Sequence, residues 1–176
     1  MDLKKIILLI CVSIGLWFAW DAANNRALTE ERIFELYREA GRALMNNDGK
    51  AYCALFSDDL SGNSETRMPG MPVERKAIAK KDACAAVDDL HALKRKMEEG
   101  AKVTLYFNHE FHMDSVTLAP DKKSATVTSR EEIRIGTERG AILTLQSRST
   151  DKLRQRSGKI QVFQSDSSMT AFPGNG

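Results

Sequence analysis

The sequence predicts an α+β domain: three N-terminal helices packed on a curved four-stranded antiparallel sheet, preceded by a single N-terminal membrane anchor or signal helix. Three observations carry this. Apolar residues recur at the helical period up to Gly100, they alternate at a period of two from Ala101 onward, and the two patterns are segregated rather than interleaved. With 176 residues, 42% hydrophobic and 28% charged, the chain fits one globular domain and neither a disordered nor a multi-pass membrane protein. A net charge of +2 spread along the chain lacks the one-sided basic excess that holds a polyanion, which argues against a nucleic-acid partner.

Residues 1–5 form a basic start with Lys4 and Lys5, and residues 6–20 form an uncharged, mostly apolar run. At roughly 15 residues the run lies where signal peptides and short anchors overlap. A cut after Ala19, Ala22 or Ala23 would place Trp17, Trp20 or Asp21 at the position that wants a small residue, so an uncleaved anchor is favoured over a signal removed on secretion to the periplasm. Trp17 and Trp20 suit a lipid boundary, and Lys4 and Lys5 suit the cytoplasmic side. The expected location is the bacterial inner membrane, single pass, with the domain in the periplasm. Cys11 does not read as a lipoprotein acylation site, because bulky Ile10 precedes it and the apolar run continues beyond it. Cys53 and Cys84 then lie in an oxidising compartment as a candidate disulfide, the alternative being two small buried hydrophobes.

Residues 21–28 form a connector before a domain at 29–172 and a frayed tail at 173–176. Thr29 caps a helix with Glu30 and Glu31 in its first turn; Ile33, Leu36, Tyr37, Ala40 and Leu44 follow at helical spacing, and Asn46 to Gly49 end it. A short second helix covers about Lys50 to Phe56. Ser61 to Val73, with two glycines and two prolines, reads as a long surface loop. Asp82 is the expected cap of a third helix carrying Val87, Leu90, Leu93 and Met97, with Gly100 as its C-cap. Strands follow: Val103, Leu105, Phe107, Phe111 and Met113 on one face of the first, Ala125, Val127, Ile133 and Ile135 on the second, Ala141, Leu143 and Leu145 on the third, Ile160 and Val162 on the fourth. Turns are expected at Pro120 to Lys123, Gly136 to Gly140 and Ser157-Gly158.

Asn47-Asp48-Gly49-Lys50 with Leu55-Phe56-Ser57-Asp58-Asp59-Leu60, and Ser147-Arg148-Ser149-Thr150-Asp151 through Ser157-Gly158-Lys159-Ile160, resemble the first helical turn and the closing hairpin of the nuclear transport factor 2-like superfamily, which includes the SnoaL-like proteins. The likeness spans roughly residues 28–172, and Ile160 stands where a tryptophan is common. It implies a cone with a pocket between helices and sheet. The superfamily includes isomerases, hydrolases, dehydratases and members without known catalysis, so it names no activity.

Strand parity selects the pocket candidates. His109 shares the face of Leu105 and Phe107; the same rule picks Ser129 and Glu131 on the second strand, and Ser147, Ser149 and Asp151 on the third. An inward stripe that turns from apolar to polar suits a cavity in which His109 pairs with Glu131 or Asp151 for acid–base work. The plainer reading is a bulge or strand end that returns these groups to solvent. No metal is expected: His109 and His112, near Asp114, lie three apart and face opposite sides of a regular strand. Cys84, Asp88 and His91 share a helix side, but positions seven apart are separated by about 10 Å, too far for a thiol and its base. Arg148, Lys152, Arg154 and Arg156 form a basic stripe, a solvated face or a contact for anionic lipid or an acidic partner.

The phosphate-loop, nucleophile-elbow and paired-cysteine motifs are absent, and no cofactor is implied. The leading expectation is a membrane-tethered binding or assembly module of the bacterial envelope without catalysis, forming a homodimer or binding another envelope protein; its architecture is similar to that of periplasmic scaffold subunits of type IV secretion machines. The alternatives are a small-molecule carrier or an isomerase- or hydrolase-like enzyme using the cone for a small apolar ligand, and a quality-control protein.

Overall fold

A computed structural model describes residues 27–174. The anchor or signal reading of residues 6–20 and the tail residues Asn175 and Gly176 lie outside the described residues. Among the described residues, no helix is long and apolar enough to cross a membrane.

The chain folds as α1 (Glu30–Met45), α2 (Gly49–Cys53), β1 (Phe56–Arg67), β2 (Glu74–Ala79), α3 (Lys80–Ala101), β3 (Tyr106–Leu118), β4 (Ser124–Thr137), β5 (Gly140–Arg156) and β6 (Lys159–Pro173). Helix α1 starts where expected, with the Thr29 hydroxyl accepting from the Arg32 amide at 3.3 Å. Helix α3 begins earlier than expected. Ala79 takes the cap position, and Asp82, three residues on, accepts from the Ala79 amide at 2.8 Å. It also ends later: Lys102, at φ 53°, and not Gly100, adopts the left-handed C-cap conformation.

The sheet has six strands in the order β2-β1-β6-β5-β4-β3, which corrects the four-stranded expectation. The meander β3 to β6 is antiparallel throughout; β1 joins it in parallel with β6, and β2 folds back antiparallel on β1. The segment read as a loop over Ser61 to Val73 is mostly this β1–β2 hairpin. Gly62 is part of the reason. A Cβ there would sit 1.8 Å from the Ser165 carbonyl oxygen, so the glycine admits the close approach of β6 and does not break the strand. Strand β6 runs to Pro173, and the Gly174 amide donates to the Ile142 carbonyl at 2.7 Å, so these two residues are tied to β5.

Two apolar clusters join helices to the concave face. Leu28 and Ile33 pack with Leu60, Val127, Leu153 and Val162 at one end; Leu44, Val87 and Leu90 pack with Leu105, Ile133 and Ile135 at the other. Cys53 and Cys84 are disulfide-bonded, which ties α2 to α3. Between the clusters a space stays unfilled.

Candidate functional site

That space is a cavity of about 510 Å³ between the helices and the concave face. Leu36, Leu44, Leu60, Leu90, Ile133 and Val162 supply its apolar wall. Its exposed lining residues, Lys76, Ala86, Asp89 and Leu93, mark an opening between β2 and α3.

All six residues selected by parity, His109, Ser129, Glu131, Ser147, Ser149 and Asp151, line this cavity. Two bulges flank the stripe without reversing it. One is at Asp114, beyond His109 on β3; the other is at Phe163 on β6. The register sets Glu131 opposite Phe111 and Ser147, and Ser129 opposite Met113 and Ser149. Glu131 is therefore the diagonal neighbour of His109, within reach of a long side chain.

His109 Nε2 lies 2.6 Å from Glu131 Oε1, and the Ser147 hydroxyl donates to Glu131 Oε2 at 3.4 Å. The imidazole is seated against Gly41 of α1, where an added Cβ would come within 2.7 Å of His109 Cε1. A helix-interior glycine ordinarily weakens a helix; here it makes room for the ring.

Asp151 is only 6% exposed and, among the described residues, has no cationic hydrogen-bond partner. Three hydroxyls serve it instead: Tyr37 donates to Oδ2 at 2.6 Å, Ser165 to Oδ1 at 2.6 Å, and Ser149 to Oδ2 at 3.3 Å. With its own hydrogen turned to Asp151, Ser149 accepts from Ser129 at 3.0 Å. Burial holds the Asp151 carboxyl above the usual carboxylate range; the hydroxyl donors oppose that shift and the nearby Glu131 charge adds to it. Burial likewise raises the Tyr37 and Tyr52 phenols, with the Asp151 charge adding to both.

Sequence reasoning missed Tyr37, Tyr52 and Ser165 as cavity residues. The Phe163 bulge shifts the inward face of β6 from Val162 to Ser165, which period-two counting from Ile160 and Val162 does not select. Tyr37 falls in the apolar repeat of the first helix, but a buried phenol usually needs a partner, which is the signal in the sequence for both tyrosines. Tyr37 stacks on Phe111 at 5.0 Å, and Tyr52 meets Phe56 edge-on at 5.3 Å.

The other constellations separate. His112 is exposed on the outer face beside Asp114, while His109 faces inward. Among the described residues no group of acidic, histidine and cysteine side chains could hold a metal ion. Cys84 is bridged, and His91 Nε2 lies 2.9 Å from the Leu44 carbonyl, which leaves no thiol–imidazole pair. Arg148, Lys152, Arg154 and Arg156 alternate along the outer face of β5. Arg154 engages Ser57 and Asp59 and lies over the Phe163 ring.

No family model and no curated protein matches the sequence. Solved structures do match its fold. A conserved protein from Planctomyces limnophilus aligns over 80% of this chain and 94% of its own, at 14% identity and TM-score 0.54. Aln2 from a Streptomyces species aligns over 81% and 94%, at 16% identity and TM-score 0.52. An NTF-2-like protein of unknown function from Shewanella oneidensis aligns over 78% and 97%, at 14% identity and TM-score 0.49. The chain shares the fold of the first two of these structures. At such identities the likeness extends to the architecture and not to an activity. The chain's chemistry is read from the lining of its own cavity.

Proposed function

We propose that this protein is a single-pass envelope protein of a bacterium whose nuclear transport factor 2-like domain binds a small molecule inside its cone. The observation that carries the binding reading is the cavity of about 510 Å³, apolar over most of its wall and crossed by one polar stripe from His109 to Asp151. A mostly apolar concavity with a few converging polar groups is the usual form of a ligand site. The tether rests on the sequence alone, on Lys4 and Lys5 and the apolar run that follows.

Native mass spectrometry of the detergent-extracted full-length chain tests this reading. A small molecule retained at one per chain supports it. An empty chain in a dimer, or bound to a second envelope protein, overturns it in favour of an assembly module and directs mutagenesis to the outer face and to Arg148, Lys152 and Arg156.

A second reading is proton transfer on a bound ligand, favoured by the His109–Glu131 pair at 2.6 Å. It predicts that the molecule recovered after incubation differs from the one supplied, and that His109→Gln abolishes the conversion while leaving binding measurable. Recovery of unchanged ligand leaves only binding.

A further inference from the structure

One row of the sheet carries the same side chain on four adjacent strands. Ser64 on β1 pairs with Ser167 on β6, Ser167 with Ser149 on β5, and Ser149 with Ser129 on β4. All four line the cavity. The row runs inward from Lys76 of β2, which pairs with Ser64 at the exposed opening, to Ser129, which is buried.

Room alone does not explain the row. Alanine would leave the same space between helices and sheet without placing hydroxyls in a largely apolar chamber, where each is costly unless it is hydrogen-bonded. Only the inner half of the row is bonded within the protein: the Ser129 and Ser149 hydroxyls lie 3.0 Å apart, and Ser149 donates to Asp151 at 3.3 Å. Among the described residues the hydroxyls of Ser64 and Ser167 have no hydrogen-bond partner, nor do those of Thr66 and Tyr52, which line the same cavity. None of these four oxygens is sealed off, since among the described residues Arg154 Nε is the one fully buried side-chain polar atom without a partner. Charge points to a neutral ligand. Glu131 is already met by His109 at 2.6 Å, and Asp151 by three hydroxyls. What stays open is a set of hydroxyls, each able to donate and to accept.

We infer that the cone binds a sugar, a pyranose ring bearing an apolar substituent, with its hydroxyl edge laid along Ser64 and Ser167. This rests on the cavity being a ligand site, as proposed above, and adds the ligand's chemical class. Neighbouring strands are about 4.7–4.9 Å apart, so the row repeats a group that both donates and accepts at that interval. A ring with hydroxyls on successive carbons presents matching groups along one edge. A ketone or an ester brings acceptors only, and a hydrocarbon leaves every open hydroxyl unpaired. The helices contribute Leu36, Ala83 and Leu90 to the same cavity, an apolar wall for the substituent and for the C–H face of the ring.

The test is isothermal titration of the full-length protein, in a detergent without a sugar head, with phenyl glucopyranoside and with 2-phenoxytetrahydropyran, which keeps the ring and the phenyl group but has no hydroxyls. The glucoside is expected to bind one per chain, about tenfold or more tighter than the hydroxyl-free probe. Ser64→Ala and Ser167→Ala should each weaken the glucoside about threefold to tenfold and change the hydroxyl-free probe by less than about twofold. Ser168→Ala, beside Ser167 but exposed on the outer face, should change neither. A hydroxyl-free probe that binds as tightly as the glucoside, or more tightly, overturns the sugar class and leaves the cavity reading standing. A glucoside preference that survives both row substitutions overturns the seat. If neither probe binds, the sugar and the cavity reading fall together.

Discussion

The two faces of the sheet carry carboxyl groups that respond in opposite ways. On the outer face Asp114 lies against Arg130 at 2.7 Å, Glu65 pairs with Arg67 and Arg75, and Asp166 is held by Asn63 and Gln164. Hydrogen bonds to these partners hold all three carboxyls below the ordinary range. On the inner face Asp151 accepts three hydroxyl bonds, yet burial prevails and its carboxyl is held above that range. The strands and chemical groups are alike. Parity alone separates a solvated ion-pair surface from a desolvated acid, and a desolvated acid beside a cavity can discriminate among ligands.

The largest expected contrast is between neighbours on β5. Leu153 is fully buried and Lys152 exposed. Leu153→Ala should destabilise the domain by about 2–5 kcal/mol, and Lys152→Ala by under about 0.5 kcal/mol, measured by chemical denaturation. Equal losses would mean that the two faces are not distinct.

The disulfide comes next. Cys53 and Cys84 are 31 residues apart in sequence, and replacing both with serine should lower stability by about 3–4 kcal/mol on the chain-entropy model. Because the bridge ties α2 to α3, both of which line the cavity, ligand affinity should fall with it in the same titration.

The pH response sharpens the comparison. The folded Asp151 pKa lies above its unfolded value, so this group's contribution is fully present below the unfolded pKa and is lost as pH rises through the folded one. Asp114, Glu65 and Asp166 have the reverse sign, with stability present above the unfolded pKa and lost as pH falls through the folded values. Asp151→Asn should therefore gain stability relative to wild type as pH rises above the unfolded carboxyl pKa, whereas Asp114→Asn should lose it as pH rises towards that pKa from below, both read from thermal midpoints.

The smallest effect on stability should come from Gly41→Ala. Alanine improves a helix interior by up to about 1 kcal/mol, which offsets the strain of crowding the imidazole. The site should still change, because the ring must leave its seat. The histidine resonances of His109 should move and its contact with Glu131 be lost, and unchanged resonances would show that the imidazole does not need the space that Gly41 leaves.

Legibility in the sequence followed the range of the forces involved. The start of α1 was readable because Thr29, Glu30 and Glu31 act on the adjacent turn. The inward stripe was readable because period-two alternation holds across β4 and β5 as far as Asp151. Strands β1 and β2 were not. Gly62, Asn63, Pro69 and Gly70 have turn chemistry, and the partner that makes β1 a strand, β6, begins about a hundred residues later. The donors to Asp151 were hidden for a related reason: Tyr37 comes from a helix, and Ser165 faces inward only because β6 bulges at Phe163.

By itself the sequence determined the start of α1, the alternation of the central strands, the cysteine pair and the polar residues on the inward face, because each depends on neighbours a few positions away or on period alone. Only the tertiary structure decided that two further strands extend the sheet, that the helices leave a cavity over the concave face, and that Asp151 is served by hydroxyls without a cation. Those outcomes depend on which distant surfaces meet and how completely they exclude water, and no local pattern encodes that.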